Sequence, residues 1–80
     1  KGMSDSVIAL YAADTGIEEG LYEVYQGNFG DFNGTLDNHS SYRASVLNPG
    51  EGTCPSDSFY CIDSIGAFHQ IKRGLRVIGK

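Results

Sequence analysis

The chain is 80 residues long, enough for one domain, and a domain of this size buries only about 60–65% of the surface that its unfolded form exposes. Its stability is therefore marginal unless a crosslink or a partner contributes. A formal net charge of −4 argues against non-specific nucleic-acid binding, which needs a basic face to displace counterions.

Helical patterning begins at once. Residues 4–26 contain no proline, Ser4 or Asp5 can cap the start, and Gly27 follows the last apolar residue, where a C-terminal glycine belongs. Met3, Val7, Leu10, Ile17, Leu21 and Val24 fall on a heptad seam interrupted once by Asp14, while Ile8, Tyr11, Tyr22 and Tyr25 widen the apolar face. At ~1.5 Å per residue this helix is roughly 35 Å long, more than a small sheet is wide. Part of the seam is thus expected to find nothing inside the chain to rest against.

Ala9, Ala12, Ala13, Gly16 and Gly20 form rows of small residues at four-residue spacing. A mid-helix glycine costs ~1 kcal/mol relative to alanine. Close approach of another backbone is the expected compensation, either the domain's own sheet or a neighbouring helix. Asp14 has two readings: it meets water where the helix leaves the sheet, or it sets register and pairs with Arg73 or Arg76 of a neighbouring subunit.

Residues 27–40, GNFGDFNGTLDNHS, read as a structured loop anchored by Phe29, Phe32 and Leu36, with Asn33-Gly34 as a tight-turn signal. From Tyr42 the period changes to 2. Tyr42, Ala44 and Val46 alternate with Arg43, Ser45 and Leu47 until Asn48-Pro49-Gly50 breaks the strand. A second run, Ser58 to Phe68, sets Phe59, Cys61, Asp63 and Ile65 on one face and Tyr60, Ile62 and Ser64 on the other, with a bulge or bend expected at Gly66. A third, Ile71 to Ile78, follows a short link at His69-Gln70 that favours an antiparallel hairpin. The expected fold class is α+β: an N-terminal helix over about residues 4–26, a loop over 27–40, and a three- to four-stranded antiparallel meander over 41–79.

Cys54 and Cys61 enclose a Pro/Ser/Asp loop, which suggests a disulfide and an oxidising, exported location. A metal site is not expected, since no C-x-x-C pair exists and His39 and His69 are solitary. Four of the six basic residues (Lys72, Arg73, Arg76, Lys80) lie in the last nine positions, opposite in sign to Glu18, Glu19 and Glu23 on the helix. Both groups read as solvated surface, or as partners within or between subunits. A DNA-contacting patch on the basic residues is a weaker reading.

No catalytic set emerges. The serines lack a G-x-S-x-G elbow, and Glu18 and Glu19 diverge by about 100° on a helix, so they do not converge as an acid–base pair. Neither an enzyme, nor a cofactor, nor a small-molecule substrate is expected. Asp37-Asn38-His39-Ser40-Ser41 resembles the calcium-binding stretch of βγ-crystallin modules, and LYEVYQGNFGDF resembles their opening strands. Oxygens of Asp37, Asn38 and Ser40 would suit calcium. The plainer reading is an Asx-turn leading into a strand. A small exported binding module, crystallin-like or a surface adhesin, is therefore the alternative function.

The segment SDSVIALYAADTGIEEGLYE resembles the start of the exported part of type IV pilin-like proteins, PilX-type minor pilins and pseudopilins in particular, through Ala9, Ala12, Ala13, Asp14, Gly16, Ile17, Glu18, Leu21 and Tyr22. The ending FYCIDSIGAFHQIKRGLRVI is similar to the family's last two strands, with Ser64 and Gly66 at the turn-in and Lys72 to Ile78 as the closing strand. The resemblance implies a structural subunit of a type IV pilus (fimbrium) or a type II secretion pseudopilus. The family's processing site, N-terminal glutamate and hydrophobic span are not among these residues. A longer protein is thus implied, anchored in the membrane by an upstream segment, processed, methylated and assembled into a surface filament. In that arrangement Val7, Ile8, Leu10, Tyr11 and Asp14 would pack against other subunits. Ile17, Leu21, Val24 and Tyr25 would pack on the sheet with Val46, Ile65, Leu75 and Val77.

Overall fold

A computed structural model describes residues 4–79; Met3 and Lys80, used in the seam and the basic tail above, lie outside the described residues. One helix, α1 (Asp5–Tyr25), precedes four strands, β1 (Gly30–Thr35), β2 (Ser41–Leu47), β3 (Tyr60–Phe68) and β4 (Ile71–Gly79). All neighbours pair antiparallel in the order β1-β2-β3-β4, so the sheet is a plain meander with α1 against one face.

Both ends of α1 are capped by the residues the sequence offers. Ser4 accepts a hydrogen bond on Oγ from the Val7 amide at 3.2 Å. At the other end Gly27, at φ 79°, donates to the Val24 carbonyl, and Asn28 donates to the Glu23 carbonyl at 2.8 Å. These two bonds form a Schellman motif. The helix has 21 residues, about 32 Å, and it runs antiparallel along β3 rather than across the sheet. Its length is therefore matched by a nine-residue strand of about 30 Å. Contrary to the expectation from sequence, no overhanging half results; what the sheet leaves uncovered is the helix's outer side.

The register between α1 and β3 explains the small residues. An added Cβ on Gly20 would meet Cγ2 of Ile62 at 2.7 Å, one on Gly16 would strike Oγ of Ser64, and one on Gly66 would strike the Ala9 carbonyl and the Ala13 amide. Two residues of strand, about 6.7 Å, match four of helix, about 6 Å. Along β3 the side chains shrink from Ile62 to Ser64 to Gly66, so the helix comes closest to the sheet near its N-terminus. There Ala9, Ala12 and Ala13 are fully buried. Gly66 is paired regularly with Tyr42 and Arg73, so it is no bulge; its missing side chain is the seat of the helix backbone.

At the wider end Ile17, Val46 and Ile62 form the buried core, with Leu21, Val24, Phe32, Tyr60, Leu75 and Val77 packed around them. Two of the assigned core residues lie elsewhere. Tyr25 is 83% exposed beyond the last strand contacts, and Ile65 is 50% exposed because odd-numbered residues of β3 point away from the helix. Ile62 and Tyr60 take that place.

The stretch read as a loop contains a strand. Asn33-Gly34 is not a turn but the middle of β1, opposite Arg43 and Tyr42, and the Tyr42 ring covers the space that Gly34 leaves. The turn comes later, at Asp37-Asn38-His39, with His39 left-handed at φ 70°. β3 also starts two residues later than expected, because Ser58 turns inward and donates from Oγ to the Pro55 carbonyl at 2.6 Å. The disulfide between Cys54 and Cys61 (Cα–Cα 5.7 Å) folds the intervening loop onto one end of the uncovered sheet face, burying both cysteines.

Candidate functional site

Two surfaces remain once the core is assigned: the outer side of α1 and the far side of the sheet. The buried residues of α1 are Ala9, Ala12, Ala13, Gly16, Ile17 and Gly20. At 100° per residue, the opposite side carries Val7, Tyr11, Asp14, Glu18, Tyr22 and Tyr25, with Leu10 at its flank. Tyr11 is 56% exposed and Tyr22 59%, with Val7 and Leu10 also open to solvent. The usual amphipathic order is partly inverted, since the smallest side chains face inward and several of the largest face outward. Of the residues assigned to subunit packing, Val7, Leu10, Tyr11 and Asp14 share this exposed side, and Ile8 is half-buried at its margin.

The helix also carries an acidic flank. Glu19 retains its proton above the ordinary value of 4.5, mainly through a hydrogen bond with the Glu23 side chain one turn on, and then through desolvation and the Glu23 charge. Burial, and next the Glu19 charge, raise the Tyr42 phenol from 10.0, which leaves it neutral beneath the helix. At the helix start, Asp5 Oδ2 lies 2.9 Å from Nδ1 of His69 in the β3–β4 turn, which pins the N-terminal turn to the hairpin tip.

The far side of the sheet is ordered in cross-strand rows. Thr35, Ser41, Ala67 and Lys72 form one; Asn33, Arg43, Ile65 and Gly74 the next; Asp31, Ser45, Asp63 and Arg76 a third. The third row satisfies itself: Ser45 Oγ donates to Asp31 at 2.9 Å, and Arg76 Nε lies 2.7 Å from Asp63 Oδ1. Arg76 also reaches Thr53 in the disulfide loop at 2.6 Å. The first two rows line a shallow depression of about 380 Å³. This depression is not legible in the sequence, because Arg43 and Lys72 lie on different strands and come to one face only through the register.

The basic residues near the C-terminus do not make one patch. Strand alternation puts Lys72 and Arg76 on the far face and Arg73 on the helix side of β4, and Arg76 is already paired. The crystallin-like reading also fails at fold level, since Leu21–Tyr25 is helical. Asn38 Oδ1 accepts from the Ser40 amide at 3.0 Å and from its hydroxyl, an Asx-turn, and Ser40 is fully buried. Those oxygens serve the hairpin turn. Among the described residues no group of three or more His, Cys, Asp or Glu is placed to hold a metal.

Comparison with family models, with curated proteins and with solved structures finds no match to this chain.

Proposed function

We propose that the chain is the globular domain of a structural subunit of the type IV pilin class, pilin, minor pilin or pseudopilin, that packs against sister subunits through the outer side of α1. The observation that carries this reading is the partly inverted helix. A helix seated by alanine and glycine, with Val7, Leu10, Tyr11, Tyr22 and Tyr25 turned outward, has apolar surface that its own sheet never covers. Side-by-side helix packing uses such surfaces. The resemblance through Ala9 to Tyr22 and the helix-on-meander architecture support the same assignment. The Cys54–Cys61 bond suits an oxidising, exported location at the cell surface or facing the periplasm.

No helix among the described residues is long and apolar enough to cross a membrane. Anchorage before assembly is assigned to the upstream hydrophobic segment that the resemblance implies. In this reading the chain is a building block with no substrate and no cofactor.

Two substitutions in the full gene product separate packing from folding. Leu10→Asp changes an exposed position and should shift domain stability by no more than about 0.5 kcal/mol. It should nevertheless remove the protein from filaments sheared off the cell surface. Leu21→Asp places a charge against the core cluster and should unfold the domain. Filaments that incorporate Leu10→Asp normally, or melts in which both variants lose stability equally, would overturn the proposal.

A further inference from the structure

We propose that the depression on the far side of the sheet binds an acidic sugar unit, a hydroxyl-bearing ring carrying a carboxylate or a sulfate. The site lies on the sheet face opposite α1, away from the helix surface assigned to subunit packing, and it does not rest on the filament reading.

The argument is one of charge and shape. The chain has a net charge of −4, yet Arg43 and Lys72 both line this depression, and no carboxylate does. Among the described residues neither cation has an ion pair; the acids of the adjoining row, Asp31 and Asp63, are held by Ser45 and Arg76. Arg43 and Lys72 stand two strands and one row apart, roughly 12 Å between Cα atoms, with Ile65 and Ala67 as the floor between them. An arginine fork takes a carboxylate or sulfate through two parallel hydrogen bonds, and a lysine adds a mobile point charge. Asn33, Thr35 and Ser41 supply donors and acceptors for ring hydroxyls along the same wall. Ile65, half exposed, offers an apolar patch to the C–H face of a sugar.

A volume of about 380 Å³ falls at the lower end of small-ligand sites. Nucleic acid fits less well. Two cations displace few counterions, and Tyr42, the aromatic residue that borders the depression, turns its ring to the helix side against Gly16 and Gly34 rather than toward a base.

The test is titration of the isolated chain, at low salt and followed by amide chemical shifts, with three probes. These are a heparin-derived oligosaccharide (sulfate and carboxylate), an oligogalacturonate (carboxylate alone) and a dextran oligosaccharide (neutral). At least one acidic probe should bind and shift residues of β2 and β4 around Arg43 and Lys72, and dextran should not. Arg43→Ala combined with Lys72→Ala should weaken binding tenfold or more with an unchanged melt. Arg73→Ala, on the other side of β4, should leave binding as it was. Failure of both acidic probes to bind, equal binding by the double variant, or an equal loss in Arg73→Ala overturns the proposal, the last by revealing general charge attraction.

Discussion

Replacing Gly66 by alanine is the sharpest perturbation of this fold. The new Cβ would fall well inside contact distance of the Ala9 carbonyl oxygen and the Ala13 amide nitrogen, and 3.0 Å from Ala12 Cβ. The first two are helix backbone atoms, which do not swing aside as a side-chain tip does. Relief requires α1 to lift by roughly 1 Å, and a gap of that size forfeits a quarter to a half of each contact's attraction. Overpacking of this kind costs about 1–3 kcal/mol, and the rigid obstacle argues for the upper part of that range. Against it stands a gain of about 0.4–1 kcal/mol, because alanine restricts the unfolded chain more than glycine does. The net expectation is a loss of about 2 kcal/mol. For a domain of this size that is a fall in Tm of roughly 8–16 °C. Gly74→Ala is the matched control in the neighbouring strand, since its Cβ would meet only the Ser64 carbonyl, at 3.8 Å. It keeps the unfolded-state gain without the clash and should raise Tm by a few degrees. Thermal melts of the two variants beside the parent decide the matter. A Gly66→Ala protein as stable as the parent, or the opposite ranking of the two, would refute the seating of α1 on Gly66.

Reduction of the Cys54–Cys61 bond should lower stability by about 2.5 kcal/mol, the chain-entropy value for a ring of this size, read as a drop in Tm on adding reductant. Reduced and oxidised protein melting together would contradict that contribution. The Glu19–Glu23 pair adds a pH signature. Because the folded state raises the pKa of Glu19, its stabilising contribution is fully present below the ordinary value of 4.5 and is lost as pH rises through the folded value. Glu19→Gln should therefore gain in Tm relative to the parent between pH 4 and pH 7, and a difference that stays flat or shrinks over that interval would show that the pair does not couple to folding.

Period and capping signals carried most of the fold. The helix, its Schellman end at Gly27 and the β3–β4 hairpin at His69-Gln70 follow from local residue choice, which acts over a few positions. β1 escaped because GDFNGT has one large apolar residue, and an edge strand far from the helix needs no more than Phe32 facing inward. Asn33-Gly34 satisfies a turn rule locally, but pairing to β2 and cover from the Tyr42 ring override it.

The side of α1 that faces the sheet is set by the partner strand rather than by the helix alone. Hydrophobic periodicity assigns Ile17, Leu21 and Val24 to the sheet, where they pack, but it passes over Ala9, Ala12, Ala13, Gly16 and Gly20, which face the sheet because a helix seated on Gly66 and Ser64 has no room for larger residues. The counterpart signal was present in β3 as the descending series Ile62, Ser64, Gly66. It acquires meaning only when the two elements are aligned antiparallel. The Arg43–Lys72 depression is of the same kind, created by register across three strands and invisible to any local window.

Hydroxyl-radical footprinting of the tyrosines, on the isolated domain and on assembled material, tests most directly whether the outer side of α1 is a packing surface. In the isolated domain Tyr11, Tyr22 and Tyr25 should react readily, and half-buried Tyr42 and Tyr60 slowly. On assembly Tyr11 and Tyr22 should become protected while Tyr42 and Tyr60 stay as they were. Unchanged reactivity of Tyr11 and Tyr22 in the filament, or faster labelling of Tyr42 and Tyr60 than of those two in the free domain, would contradict the account.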